Sequence, residues 1–219
     1  MYRDNREDFF NLVPINIISS KFLVKIIGGG KAAYIKAKGL LEKGCFVHIL
    51  SKEFSEEVLS LKNSNLTLEI GIYYKEFIKN SHLVIIAVDD YELVKEICND
   101  CDDEYKIYIN SSDYRNGMGS IPYSKSYKNL SFSISSKLGS PKVTREIGKE
   151  IEQIVEKNDD YSIIVANIRN KAKLEENKKD IIDFVSGKEF KKAICENREF
   201  ECLKNTFGEE VSKRLMNIK

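Results

Sequence analysis

Residues Val24 to Ala33 read Val-Lys-Ile-Ile-Gly-Gly-Gly-Lys-Ala-Ala, and this stretch limits the fold more than any other. A β-rich run from Phe22 to Ile27 enters three glycines. Helical spacing of Ala32, Ala33, Ile35, Ala37, Leu40 and Leu41 leaves them. Gly28, Gly30 and Ala33 fit G-x-G-x-x-G/A at a strand-to-helix turn, the context in which that pattern has a mechanism. Gly28 permits the tight turn, Gly30 lets backbone approach a pyrophosphate, and Ala33 lets the helix pack close to the sheet. Phosphates would then rest on free N–H groups at the positive end of the helix. Gly28, Gly29, Gly30, Lys31 and Ala32 are therefore candidate cofactor contacts.

The downstream pattern extends this unit. Strands are expected at Phe22 to Ile27, Cys45 to Leu50, Leu66 to Ile72, His82 to Val88 and Lys106 to Ile109, with a short strand or extended lead-in at Val13 to Ile18. Helical stretches fall between them: Lys31 to Lys43, stopped by Gly44; Ser55 to Leu61, capped by Ser55; a turn at Tyr74 to Lys79; and Tyr91 to Cys98, capped by Asp89-Asp90. Such alternation predicts an α/β fold of Rossmann type, a parallel sheet with helices on both faces. Ligands bind such sheets at the carboxyl ends of the strands. That edge would gather Gly28 to Gly30, Ser51, Val88 to Asp90 and Asn110 to Asp113. The second-strand tip reads Leu50-Ser51-Lys52-Glu53. No acid sits directly at the strand end to hold the ribose 2′-OH of NAD, Glu53 lies slightly too far on, and Lys52 tolerates a 2′-phosphate, so NAD and NADP both stay open. Ser51, Lys52, Val88 and Asp89 complete the candidate cofactor set.

After Asp113 the composition changes. Tyr114 to Asn129 is rich in Gly, Ser and Tyr, and Leu130 to Ser135 alternates as a strand. Helices are expected at Lys142 to Lys157, then, after a break at Asn158 to Asp160, at Tyr161 to Arg169, Lys173 to Val185, Glu189 to Glu196 and Glu199 to Met216. The expected organisation is a dinucleotide-binding domain over 1–113, a dimerisation segment over 114–143 and a helical domain over 144–219. The middle segment is too short and strand-poor for a core of its own, which points to pairing with a second copy in a homodimer.

Overall charge names no partner, since net charge over 219 residues is +1. Locally, Arg115, Lys125, Lys128, Lys137, Lys142, Arg145 and Lys149 face only Asp113 and Glu146, a surplus suited to an anionic ligand or to a solvated face. Interleaved Tyr114, Tyr123, Tyr127 and Phe132 suit a flat aromatic ligand, a nucleic acid or a dimer contact. No apolar run approaches the roughly 20 residues of a bilayer span, and the polar N-terminus is unlike a signal peptide. Five cysteines in a chain of this kind suggest reduced thiols and a cytoplasmic protein. Cys98 and Cys101 form a lone C-x-x-C, and His48 and His82 sit in or beside strands, so no metal site is expected. Asp113, following a strand at the ligand edge, is either an acid–base group or a turn residue.

With these pieces placed, the chain resembles the precorrin-2 dehydrogenase/sirohydrochlorin ferrochelatase family, which includes the N-terminal module of siroheme synthases. The resemblance runs through Val13-Pro14-Ile15, Ile26-Ile27-Gly28-Gly29-Gly30-Lys31-Ala32-Ala33, Lys36, Ala87-Val88-Asp89-Asp90, Asn110-Ser111-Ser112-Asp113, Ser133-Ile134-Ser135-Ser136, Gly139-Ser140-Pro141 and Arg145. It departs at Lys137-Leu138, where the family has two glycines, at Ser111-Ser112, where it has two valines, and in the spacing before Pro122. The resemblance implies NAD-dependent oxidation of precorrin-2 to sirohydrochlorin, with Asp113 catalytic and Ser136, Lys137 and Arg145 on the tetrapyrrole side. It also implies a homodimer without nucleic acid or membrane partners. Insertion of Fe²⁺ or Co²⁺ varies within the family. The departures leave a second reading open, a dinucleotide- or tetrapyrrole-binding sensor or scaffold without catalysis.

Overall fold

A computed structural model describes residues 11–137 and 139–218. The polar leader and Leu138, one of the two residues replacing the family's glycines, lie outside the described residues. The chain divides into two compact units, one including residues 13–121 and the other residues 122–219.

In the first unit, five strands alternate with helices: β1 (Leu23–Ile27), α1 (Lys31–Glu42), β2 (Phe46–Ser51), α2 (Glu56–Leu59), β3 (Leu66–Ile70), β4 (Leu83–Ile86), α3 (Tyr91–Asp103) and β5 (Ile107–Asn110). The sheet is parallel throughout, in the order β3-β2-β1-β4-β5. The β1/β4 boundary is the point where successive crossovers change direction, and this is where a doubly wound sheet opens a ligand crevice. Val13 to Ile18 forms no strand. It leads into a 3-10 turn at Ser19–Lys21, with Val13, Ile15, Ile17 and Ile18 exposed.

Period-2 alternation divides the strand residues between two covered faces. Val24, Ile26, Val47, Ile49, Leu83, Ile85 and Ile109 pack with Ala33, Ala37 and Leu41 of α1. Ile27, Leu50, Val84, Ile86 and Tyr108 pack with Phe77, Ile78, and Ile97 and Cys101 of α3. Lys25, in the middle of β1, reaches the second face because its ammonium donates to the carbonyls of Phe77 and Lys79. The two histidines have structural partners. His82 Nδ1 accepts the Leu23 N–H at 3.0 Å, and His48 Nε2 lies 2.9 Å from Glu69. All five cysteines are free thiols.

The second unit pairs β6 (Tyr123–Ser126) with β7 (Ser131–Ile134) in an antiparallel hairpin packed on α4 (Pro141–Ala172). Four shorter helices follow: α5 (Lys178–Val185), α6 (Lys188–Cys195), α7 (Glu199–Phe207) and α8 (Glu209–Met216). Two sequence expectations fail here. Asn158 to Asp160 do not break a helix, because α4 runs through them for 32 residues. Asn and Asp cost only about 0.5–0.7 kcal/mol each in a helix interior. Asp159 is moreover tied down: its carboxylate accepts the backbone N–H groups of Lys128, Asn129 and Leu130 in the β6–β7 turn at 2.7–3.1 Å. Conversely, Glu199 to Met216 is not one helix. Gly208, at φ +84°, adopts a backbone that ordinary residues avoid and separates α7 from α8. No helix among the described residues is long and apolar enough to cross a membrane.

Candidate functional site

The glycine turn joins β1 to α1. Gly28 is buried at φ +116°, and a Cβ there would lie 2.2 Å from the Ala87 carbonyl oxygen. Only glycine combines that backbone with that approach to the β4 tip. Gly29 is also buried, for a reason the motif does not state. A Cβ on it would lie 2.2 Å from the Glu53 carbonyl oxygen, 2.8 Å from Ser51 Oγ and 2.9 Å from Phe54 Cδ1. The segment after β2 therefore rests directly on the glycine loop, pinned by the Ser55 N–H donating to the Gly29 carbonyl at 2.9 Å. Gly30 differs from both. It is exposed, and a Cβ there would meet nothing within 4 Å. It is the N-cap of α1, whose first turn leaves its leading N–H groups without intrahelical acceptors. An open space facing unpaired N–H groups at a helix start suits a pyrophosphate. Ala33 is fully buried against the sheet, as the motif requires.

A cleft of about 520 Å³ opens at this edge, within the 300–1,000 Å³ typical of small-molecule sites. It brings together Gly28, Gly29, Gly30, Ser51, Lys52, Val88 and Asp89 of the expected cofactor set. Lys31 and Ala32 stand outside its lining, exposed on the first turn of α1. The lining also includes Phe54, Gly71, Ile72, Tyr73 and Leu93, which sequence reasoning did not single out. Gly71 directly after β3 was the available signal. Tyr73 is fixed by its hydroxyl donating to Asp100 at 2.9 Å; burial, then that carboxylate, raises its pKa far above the usual phenol value. Asp90 caps α3 by accepting the Glu92 and Leu93 N–H groups at 3.1 Å.

Asp113 lies past β5, outside the cleft lining and exposed. Its carboxylate accepts the Arg115 N–H at 3.0 Å and the Asn116 side-chain amide at 2.9 Å, so it organises the 3-10 turn Tyr114–Asn116. Asn110, buried, fixes its position by accepting the N–H groups of Ser112 and Asp113 at 3.0 and 3.2 Å. Gly117 lets the returning chain lie on β5, since a Cβ there would be 2.9 Å from the Asn110 nitrogen. Ser112 Oγ sits 3.4 Å from both the Val88 carbonyl and Asp89 Oδ1, linking this turn to the cleft wall.

The remaining candidates belong to the second unit. Ser136, half-buried, and Lys137, exposed, occupy the connection between β7 and α4, and Arg145 is exposed on α4. The local basic surplus is smaller than the sequence suggests. Carboxylates of α4 engage Lys125 (Glu152, 3.8 Å), Lys128 (Asp160, 3.3 Å) and Lys149 (Glu146, 2.8 Å). The Tyr123 hydroxyl donates to the Glu152 carboxylate, and the Tyr127 hydroxyl to the Glu152 backbone carbonyl at 3.4 Å.

Residues 15–120 match the family model described as putative NAD(P)-binding. A putative precorrin-2 dehydrogenase of Methanocaldococcus jannaschii is 30% identical over 158 residues, covering 68% of this chain and 76% of the relative. The chain belongs to the precorrin-2 dehydrogenase family. Another member, the precorrin-2 dehydrogenase of Bacillus subtilis, is 23% identical over 66% of this chain and 90% of its own length. A siroheme synthase of Pseudoalteromonas translucida is 23% identical over 68% of this chain but only 32% of its own length. The solved structure of SirC, precorrin-2 dehydrogenase, shares the fold with a TM-score of 0.67 at 19% identity, over 94% of this chain and all of that one.

Proposed function

We propose that this protein oxidises precorrin-2 to sirohydrochlorin in siroheme biosynthesis, with NAD as the acceptor. The observation that carries the reading is the cleft at the carboxyl edge of β1, β2 and β4, floored by Gly30 and the open first turn of α1, in a chain of the precorrin-2 dehydrogenase family. NAD, when bound there, supplies the hydride acceptor. The protein's residues do the rest. Gly30 and the leading N–H groups of α1 hold the pyrophosphate, and Val88 and Asp89 bound the cleft where the β4 tip meets the β5 turn.

The reaction removes a hydride and a proton from the tetrapyrrole. Asp113 is the proposed proton acceptor, kept in place by Asn110, Arg115 and Asn116. Ser136, Lys137 and Arg145 are proposed to hold the carboxylate arms of the substrate through charge-assisted hydrogen bonds. Lys137 and Arg145 make no ion pair with any described residue, which leaves them available for that work. The assembly proposed is a homodimer built through the 114–143 segment, in the cytoplasm. Insertion of Fe²⁺ or Co²⁺ into sirohydrochlorin is a separate possible step, with Asp113 taking the pyrrole protons.

Incubation with precorrin-2 and NAD tests the reading: sirohydrochlorin absorbance and NADH should rise together, one for one. Dinucleotide binding without turnover by either NAD or NADP would overturn it in favour of a sensor or scaffold. Metal insertion is decided by supplying sirohydrochlorin and Fe²⁺ or Co²⁺ without NAD, against a no-enzyme control.

A further inference from the structure

A band of charged side chains crosses the second sheet face, where strands covered on both faces are otherwise apolar. The register pairs Lys25 of β1 with His48 of β2, and His48 with Thr67 of β3. Alternation therefore puts Lys25, His48 and Glu69 on one face. The connection from β3 to β4 covers part of that face as a loop and a 3-10 turn, Lys75–Ile78, with Phe77 and Ile78 buried. It begins with Gly71, Ile72 and Tyr73, which line the cofactor cleft.

Side chains hold this connection in place. The Lys25 ammonium donates to the carbonyls of Phe77 and Lys79, the latter at 3.1 Å. The Tyr74 hydroxyl donates to Glu69 Oε1 at 2.9 Å. On α3, Asp100 takes the Tyr73 hydroxyl, and Lys75 pairs with Asp100 and Asp103 at 3.0 and 2.8 Å. His48 sits among these anchors. Its Nε2 is buried 2.9 Å from Glu69 Oε2, yet out of line for a hydrogen bond. Its ring meets Phe77 edge-on with centroids 4.9 Å apart, and the Lys25 ammonium lies 4.8 Å from the centre of the same Phe77 ring. Lys25, Glu69 and Tyr74 are thus the titratable groups around His48. Lys106, which acts on Lys25, donates to the Ser81 carbonyl at 3.2 Å. A proton on His48 would set a second cation beside Lys25 against one phenyl ring. Burial lowers the His48 pKa from the ordinary imidazole value, Glu69 opposes that shift, and Lys25 adds to it.

Resting on the dinucleotide reading above, we propose that Lys25, His48, Glu69 and Tyr74 form a proton-sensitive latch that positions the Gly71–Tyr73 wall of the cleft. With His48 neutral the latch is closed and the wall stands. A proton on His48 opens it, so the dinucleotide is held less tightly as pH falls. The closed latch favours the neutral imidazole. Its advantage is complete above the ordinary imidazole value of about 6.5 and is lost as pH falls through the lower closed-state value. By linkage, a bound dinucleotide closes the latch and lowers the His48 pKa further.

The chain has two histidines, so NMR of the full chain gives two imidazole titrations, with His82 as the internal control. In the free protein the amide signals of Gly71 and Tyr73 should follow the His48 titration, and should lose that step in His48→Gln. Saturating NAD should lower the His48 pKa and leave that of His82 in place. Calorimetry should show the wild type losing roughly fivefold in NAD affinity from about pH 7.5 to about pH 5.5, near the low end of ordinary coupling between sites. His48→Gln, which cannot take the proton, should lose far less. Superimposed affinity curves for the two proteins would overturn the latch, as would Gly71 and Tyr73 signals that ignore the His48 titration. Absence of NAD binding at every pH would overturn the dinucleotide reading instead, and the free-protein titration would still decide the latch.

Discussion

The two units stabilise their backbones by different means. In residues 13–121, the conformation follows from local chemistry: β-branched runs fill two covered sheet faces, and glycines occur where β1 and its neighbours come within contact of one another. In residues 122–219, side chains far apart in sequence set the geometry. Asp159 holds the β6–β7 turn through three backbone N–H groups, and Glu152 takes the Tyr123 hydroxyl. Gly148 sits in mid-helix, where glycine costs about 1 kcal/mol relative to Ala, because a Cβ there would lie 2.2 Å from the Tyr123 ring. The difference teaches that a nucleotide edge is a backbone device, whereas the hairpin and α4 form a side-chain device.

The largest expected effect breaks the chemistry and leaves both devices intact. Asp113→Ala should lower turnover by roughly 10²- to 10⁴-fold if Asp113 takes the proton, with NAD affinity little changed. Steady-state rates beside calorimetry check this, and an equal loss in binding would reassign Asp113 to its turn role alone.

Next comes a paired test of the backbone device. Gly28→Ala combines an unfavourable φ with a contact against the Ala87 carbonyl, and should cost about 3–5 kcal/mol in thermal or denaturant unfolding. Gly30→Asp meets no atom, so its melting temperature should stay near that of the wild type. Its carboxylate would face the pyrophosphate, at a cost of roughly several kcal/mol in binding. Equal destabilisation by both variants would show that the two glycines do not divide structure from binding.

The side-chain device is sharpened by Gly148→Ala. Helix propensity alone predicts a gain of about 1 kcal/mol, whereas the Tyr123 contact predicts a net loss of about 1–2 kcal/mol. Chemical denaturation gives the sign, and a gain would mean the hairpin moves freely on α4.

The smallest effect is pH dependence. Burial alone would raise the Asp159 pKa, but the three N–H groups outweigh it and hold the pKa below the ordinary carboxylate value. A depressed folded-state pKa stabilises above the unfolded value, near 4, and that contribution is lost as pH falls through the folded value. The wild type should therefore lose more melting temperature than Asp159→Asn between about pH 5 and pH 3. Parallel curves would remove Asp159 from the account.

The sequence by itself determined the Rossmann unit and most of its ligand edge, because period-2 apolar runs, the Gly28 turn and the Asp90 cap are local signals that the tertiary structure only had to assemble. It also placed Ser55 as a cap and gave Asp113 two readings, of which the turn role is visible in its bonds to Arg115 and Asn116. Only the tertiary structure decided that Gly29 exists for the Glu53 carbonyl, that Phe54, Ile72 and Tyr73 line the cleft, and that much of the basic surplus after Asp113 is already engaged by Glu146, Glu152 and Asp160. Only there, too, could Asn158 to Asp160 be seen to continue α4. A polar residue in mid-helix carries a weak local penalty, and whether it breaks the helix depends on partners some 30 residues away that no local pattern encodes.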